Sequence, residues 1–282
     1  MADLKIYNNG ENKILMSAGD RIIRQPYEFD NAFVNAGGLN SYIEVDGIGA
    51  SLLSLSVMQW YYMPVFPEGG TRLSLFNIQA INSDNICLQY IDASTGIWYG
   101  PTYNSDLTFD SMRVPKINMG SVTGSNNLQS LILNNGFHTS EVRKNAIKYT
   151  RENLSAFNFP DNDVLKIWVG AGRRSNGSTP DIFSHPSVRL GRIIVYNREF
   201  VESERIFYHN NGIGNDPQSV ADLFIDIRND KAEILTIGGV QKVGVRDYSG
   251  NNHHGEIMNL PAGTLQEQLD WANANLFVPF IS

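Results

Sequence analysis

The chain has 282 residues, 42% hydrophobic and 18% charged, with a formal net charge of −7. That balance fits a packed core and excludes a disordered chain, and the absence of Lys/Arg clusters argues against nucleic acid as a partner. A single cysteine, Cys87, excludes an internal disulfide, and no run approaches the ~18 apolar residues of a membrane span, so no membrane insertion is expected.

Residues 1–30 read as a short β arm with an assembly role. Leu4-Lys5-Ile6-Tyr7 runs into the turn signal Asn8-Asn9-Gly10, and Lys13-Ile14-Leu15-Met16 and Arg21-Ile22-Ile23 follow. Such an arm buries little alone, which makes Ile6, Tyr7, Ile14 and Leu15 candidate assembly residues.

Residues 31–215 read as the main domain. Tyr42-Ile43-Glu44-Val45 alternates as a half-buried strand, and Leu52–Tyr62 is apolar enough for a central one. Strands over Arg72–Ile81 and Ile86–Ile91 follow, then the hairpin loop Asp92–Gly96 and its return Ile97-Trp98-Tyr99. Leu131-Ile132-Leu133 leads into the turn Asn134-Asn135-Gly136, Val164–Val169 is another strand, and Gly170–Gly177 reads as a loop. Gly191–Tyr196 is a buried strand, followed by a helix over Glu199–His209 and the terminator Asn210-Asn211-Gly212.

Residues 216–282 read as a C-terminal extension packing on the sandwich or on a neighbour. Leu223–Ile227 and Ala232–Ile237 are strand-like, Asp247–Gly255 is a long polar turn, and Thr264 with Glu267 has capping-box spacing for a helix reaching Trp271. The apolar end, with Phe277, Val278, Phe280 and Ile281, must be buried in the core or in a neighbour, and adds these four residues to the assembly set. Many short strands, Gly/Asn turns and little helix give the fold class: all-β, an antiparallel jelly-roll sandwich.

Three motifs resemble a known superfamily. Gly191-Arg192-Ile193-Ile194-Val195-Tyr196-Asn197-Arg198, running on through Glu204 to Tyr208-His209-Asn210-Asn211-Gly212, is similar to the closing signature of concanavalin A-like, laminin-G-like jelly rolls. Gly38–Val45 resembles their opening strand, and Asp247-Tyr248-Ser249-Gly250-Asn251-Asn252 with Gly255 resembles their Asp-x-Ser-Gly-Asn loop. That loop here follows the closing signature, which implies a permuted order or added strands. The arm pattern Lys5–Gly10 and Lys13–Gly19 also resembles bacteriophage virion proteins of the tail, fibre or capsid surface.

The chemistry that these residues could carry is limited. Glu44-Val45-Asp46-Gly47-Ile48-Gly49 begins like a Glu-x-Asp-x-x-Glu glycosidase strand, but Gly49 replaces the last carboxylate, and a solvated strand end is the expected role. The five histidines have no zinc-ligand spacing. No cofactor is expected; Asp161-Asn162-Asp163 and Asp247 with Asn251 and Asn252 offer hard oxygens for Ca²⁺, without supporting spacing, and turn capping is the favoured account of them. Trp98, Tyr99 and Tyr103, with Asp92 across the hairpin, form a candidate glycan-binding cluster, for which core packing of Trp98 is the competing account.

The combined expectation is a non-enzymatic virion structural protein, made in the host cytoplasm without a signal peptide. Its partners would be other virion proteins, copies of itself and host-surface glycans. A carbohydrate-binding module is the alternative, and a glycoside hydrolase the third reading.

Overall fold

The computed structural model describes residues 5–8, 14–18, 21–23, 31–35, 38–50, 56–62, 72–81, 86–92, 97–103, 109–114, 127–134, 137–144, 147–152, 163–173, 179–186, 188–196, 198, 203–204, 207, 221–227 and 231–279. For the strands between residues 5 and 23 and between 86 and 152 the description is of the backbone alone.

Three strands open the chain: β1 (Lys5–Asn8), β2 (Ile14–Ala18) and β3 (Arg21–Ile23), antiparallel in a sheet of their own. Asn8 pairs with Ile14, so residues 9–13 connect β1 to β2, more than the two-residue turn that Asn9-Gly10 signals. Next come β4 (Ala32–Phe33), β5 (Tyr42–Ala50), β6 (Ser56–Tyr62), β7 (Arg72–Ala80), β8 (Ile86–Asp92), β9 (Ile97–Tyr103) and β10 (Phe109–Val114). A meander follows of β11 (Asn127–Asn134), β12 (Phe137–Lys144) and β13 (Ile147–Glu152), in which Asn134 pairs with Phe137 as the Asn-Gly signal requires. The middle of the chain adds β14 (Asp163–Val169), β15 (Ala171–Gly172), β16 (Ile182–Phe183) and β17 (Arg189–Tyr196). Then come β18 (Leu223–Ile225), β19 (Glu233–Ile237), β20 (Val240–Val245), β21 (Gly255–Met258), helix α1 (Leu265–Asn275) and β22 (Phe277–Val278). Residues 203, 204 and 207 are helical, within the helix expected after β17.

Two antiparallel sheets make the sandwich. The larger has nine strands in the order β10-β9-β8-β7-β14-β5-β21-β20-β19. In the smaller, β17 pairs with β18 and β4 along one side and β6 along the other, and β22 pairs with β4. The core lies between them. Ile43, Val45, Leu73, Leu75, Ile78, Leu165, Ile167 and Val169 face Phe33, Val57, Tyr61, Leu190, Ile193, Val195, Leu223 and Ile225 in one buried cluster. Each large aliphatic side chain contributes ~1.5–3 kcal/mol on burial, so this cluster dominates the stability of the fold.

The residues read as an extension are built into both sheets. β21 pairs with β5, β18 with β17, and β22 with β4. Phe277, expected at an intermolecular contact, is 5% exposed and packs edge-on against Phe33 with ring centroids 5.9 Å apart, inside the chain's own core. Val278 is half-buried, whereas Phe280 and Ile281 lie outside the described residues. Helix α1 starts at Thr264, whose hydroxyl accepts from the Glu267 backbone while the Glu267 carboxylate accepts from the Thr264 backbone. Leu265, Leu269 and Trp271 turn the helix onto the core. Among the described residues no helix is long and apolar enough to cross a membrane. Gly170–Gly177, read as a loop, contains β15, which pairs with β16.

Candidate functional site

The closing motif is a mechanical corner. Beyond β17, the Arg198 guanidinium donates to both Glu204 carboxylate oxygens, at 2.8 and 2.6 Å, and lies 4.5 Å from the centroid of the Tyr196 ring. The Tyr, Arg and Glu of the motif thus clamp the helical turn to the strand by a bidentate ion pair and a cation–π contact. Deeper in the same strand, Arg192 is fully buried, donates to Asp226 at 2.6 Å and stacks 4.8 Å from the centre of Phe224. A cation inside the apolar run Leu190–Tyr196 was the available sequence signal for this pair, since a buried charge requires a partner.

The Asp247 loop is a second closure. One oxygen of the carboxylate accepts from the Phe224 and Ser249 backbones, both at 2.9 Å. The other accepts from the Ser249 hydroxyl at 2.7 Å and the His253 backbone at 3.0 Å. The Asn251 amide donates to the Ala221 and Asp222 carbonyls. With its carboxylate occupied by four protein donors, Asp247 caps a turn, and the loop does not fit a Ca²⁺ site. Gly255 ends the motif because a Cβ there would sit 2.4 Å from the Ile43 side chain. Among the described residues no group of three or more His, Cys, Asp or Glu side chains is placed to hold a metal. Asp161 and Asn162 lie outside the described residues, as does the side chain of Asp163.

The most chemically varied surface is the outer face of the nine-stranded sheet. A β-bulge sets Asp46 and Gly47 (φ +86°) opposite Lys166 of β14, so Glu44 and Asp46 both reach it. Lys166 lies 3.1 Å from Glu44 and 3.4 Å from Asp46, while the Trp168 indole donates to Glu44 at 2.7 Å. Glu44 is therefore a half-buried, engaged group rather than a solvated strand end, whereas Asp46 is exposed. Burial works against the Lys166 charge, but the hydrogen bond and charge of Glu44, with Asp46 behind it, outweigh that and hold its pKa above the ordinary value. Tyr42, on the same face, packs edge-on against Trp168. Its pKa is pushed up to about 12, first by burial, then by the charges of Glu44, Glu256 and Asp46. Across the next strand pair, Asn77 is buried and both polar atoms of its amide are without a hydrogen-bond partner.

Register carries this face to the far half of the sheet. Trp168 pairs with Asn77, and Asn77 with Leu88. Leu88 lies two residues from both Ile86 and Tyr90, the partners of Tyr103 and Tyr99. Positions two apart share a face. Tyr99, Tyr103 and Asp92 therefore take register positions on the face of Glu44 and Lys166, and Trp98, paired with Ile91, takes one on the core face. The side chains of these four residues, and of Ile6, Tyr7, Ile14 and Leu15, lie outside the described part, as does that of Cys87. Lys166, Trp168 and Asn77 were not singled out in the sequence, although the alternation Val164-Leu165-Lys166-Ile167-Trp168-Val169 already places Lys166 and Trp168 on one face.

No protein-family model matches the chain, and no curated protein sequence does. Among solved structures it is similar to the heptameric SAP-like pentraxin from Limulus polyphemus, at 12% identity and TM-score 0.46, over 66% of this chain and 83% of that one. It is also similar to tailspike protein 2 from an Escherichia coli O157:H7 bacteriophage, at 12% identity and TM-score 0.45, over 66% of this chain and 25% of the tailspike. A third is the CBM40 of the Ruminococcus gnavus IT-sialidase bound to α2,3-sialyllactose, at 16% identity and TM-score 0.40, over 60% of this chain and 98% of that one. The sandwich assignment rests on this chain's own two sheets and the core between them.

Proposed function

We propose that this chain is a non-enzymatic structural component of a bacteriophage virion, joining others of its kind or other virion proteins through its N-terminal arm. The carrying observation is that β1, β2 and β3 form a sheet of their own, sharing no strand with the sandwich. Strands of four, five and three residues bury too little to be stable alone and gain most by docking on a partner. The state of Glu44 supports a role without catalysis. Its carboxylate and that of Asp46 share one lysine, an arrangement unlike a glycosidase's acid and nucleophile, held ~5–9 Å apart across an open cleft.

Removing residues 1–30 tests the reading. The truncated chain should keep its melting temperature and sediment as a smaller species than the full chain. Identical sedimentation of the two would sink it.

A carbohydrate-binding role for the outer sheet face is the second reading. Register favours Tyr99, Tyr103 and Asp92 as positions on the same sheet face as the Glu44–Lys166 row, with β7 between, and it sets Trp98 apart. Tyr103→Ala should abolish glycan-array signal at unchanged melting temperature, and Trp98→Ala should lower the melting temperature. An array on which the intact chain gives no signal would count against this role.

A further inference from the structure

The Asp247 loop joins the two sheets. It runs from β20 to β21 of the nine-stranded sheet, and its contacts go to β18 of the smaller one. Asp247 bridges to Ile225, Tyr248 donates to the Phe224 carbonyl at 2.7 Å, and the Phe224 N–H donates to the Asp247 carboxylate. The backbone N–H of Asp247 points the other way and donates to Nδ1 of the half-buried His254 at 3.1 Å.

That last bond depends on the protonation of the ring. A neutral imidazole has one donor and one acceptor, whereas an imidazolium has two donors. In the closed loop Nδ1 must therefore be bare. A proton there sets two N–H groups face to face and leaves the amide of Asp247, a residue 5% exposed, without an acceptor.

The charges around the ring favour its protonation, but each is already engaged. Glu233 of β19 is joined to Arg246 by a bidentate ion pair, and Glu256 of β21 to Lys242. The Glu256–Glu44 pairing sets Asp46 of β5, two residues on, at the register position opposite His254, and Asp46 lies against Lys166. The Asp247 carboxylate has its four donors. Glu233 is held below the ordinary carboxyl value by the Arg246 hydrogen bond first, then by the charges of Arg246 and His254, which outweigh its burial.

We propose that the Asp247 loop is a proton-sensitive clasp, closed over a neutral His254 and opened when that ring takes up a proton. The closed form has no place for a proton at Nδ1 and the open form has, so acid shifts the population toward the open form. One proton is linked to opening. The closed-to-open ratio should therefore fall about tenfold per pH unit below pH ~6.5, where histidine in general becomes charged.

The test is amide hydrogen exchange on the full chain between pH 8 and pH 5, corrected for the intrinsic pH dependence of exchange. Protection of Phe224, Asp247 and Ser249 should be level from pH 8 to 7 and fall about tenfold between pH 6 and 5, while Ile43 and Ile193 in the core keep theirs. His254→Asn keeps an acceptor near the Nδ1 position and takes up no proton, so its loop should stay protected at pH 5. The ring of His253 stands beside Gly47, so His253→Asn should retain the parent's pH profile. The nitrogen resonances of His254 at pH 8 should show a bare Nδ1 and a protonated Nε2, a reading that depends on neither variant. The proposal is overturned if protection of Phe224 and Ser249 is the same at pH 8 and pH 5, if it falls as far in His254→Asn, or if Nδ1 carries the proton at pH 8.

Discussion

Two parts of this sandwich hold carboxylates among donors, and they do so differently. At the closing end, Asp226 and Asp247 are sealed, 6% and 5% exposed, with every neighbouring donor supplied by the fold. On the outer face of the nine-stranded sheet, Glu44 and Asp46 divide one lysine between them, Asp46 stands in solvent, and Asn77 has no partner at all. The first arrangement spends its polar chemistry on holding strands together. The second leaves some uncommitted, with the unpartnered amide of Asn77 itself fully buried.

The contrast breaks most sharply at the buried pair. Asp226→Ala strands the Arg192 guanidinium in the core and should cost about 3–5 kcal/mol, read from the denaturant midpoint. Asp247→Ala removes the acceptor of four hydrogen bonds and should cost about 3 kcal/mol, with loss of hydrogen-exchange protection at Phe224, Ser249 and His253. A change under 1 kcal/mol at either position, by the same measure, would mean that the closing end is not sealed.

The outer face should respond instead to alkali. Lys166 and Tyr42 both have folded pKa values above their ordinary 10.5 and 10.0. Their contribution is therefore complete below pH 10 and lost as pH rises through the raised values, which for Tyr42 reach about 12. The denaturant midpoint should fall over that window. Glu44→Gln should bring the Tyr42 tyrosinate absorbance, isolated as the difference from Tyr42→Phe, to lower pH. An unmoved Tyr42 titration would separate it from Glu44. The smallest effect is a gain. Asn77→Leu removes a buried amide with no partner and should stabilise the chain by about 1 kcal/mol, read from the denaturant midpoint.

Local pattern revealed what local physics decides. Tyr42-Ile43-Glu44-Val45 alternates because one face is core, Gly191–Tyr196 is apolar because both faces are covered, and Thr264 with Glu267 announces α1. The capping-box spacing marks the start of the helix and gives no signal for its end, which lies at Asn275, beyond Trp271. Its two asparagines are held in place, Asn273 by exchanging hydrogen bonds with Ala232 and Asn275 by donating to the Trp271 carbonyl. Glu44 looked like a solvated end because its partners, Lys166 and Trp168, lie more than a hundred residues away along the chain. The pairing of β21 with β5 was hidden for the same reason, and so was the reason for Gly255, whose Cβ would meet Ile43. For the candidate site, sequence supplied aromatic and acidic residues, and strand register decided which of them share a face.

The strand β22 has a consequence for the birth of the protein. Its partner β4 is made long before it, and the edge contact of Phe33 with Phe277 forms only once Phe277 has left the ribosome. Closure of this sandwich is therefore a late event, governed by contacts between distant parts of the chain, which form slowly. Until then the growing polypeptide carries an open core, and any truncation before β22 would release it with that core exposed to its neighbours.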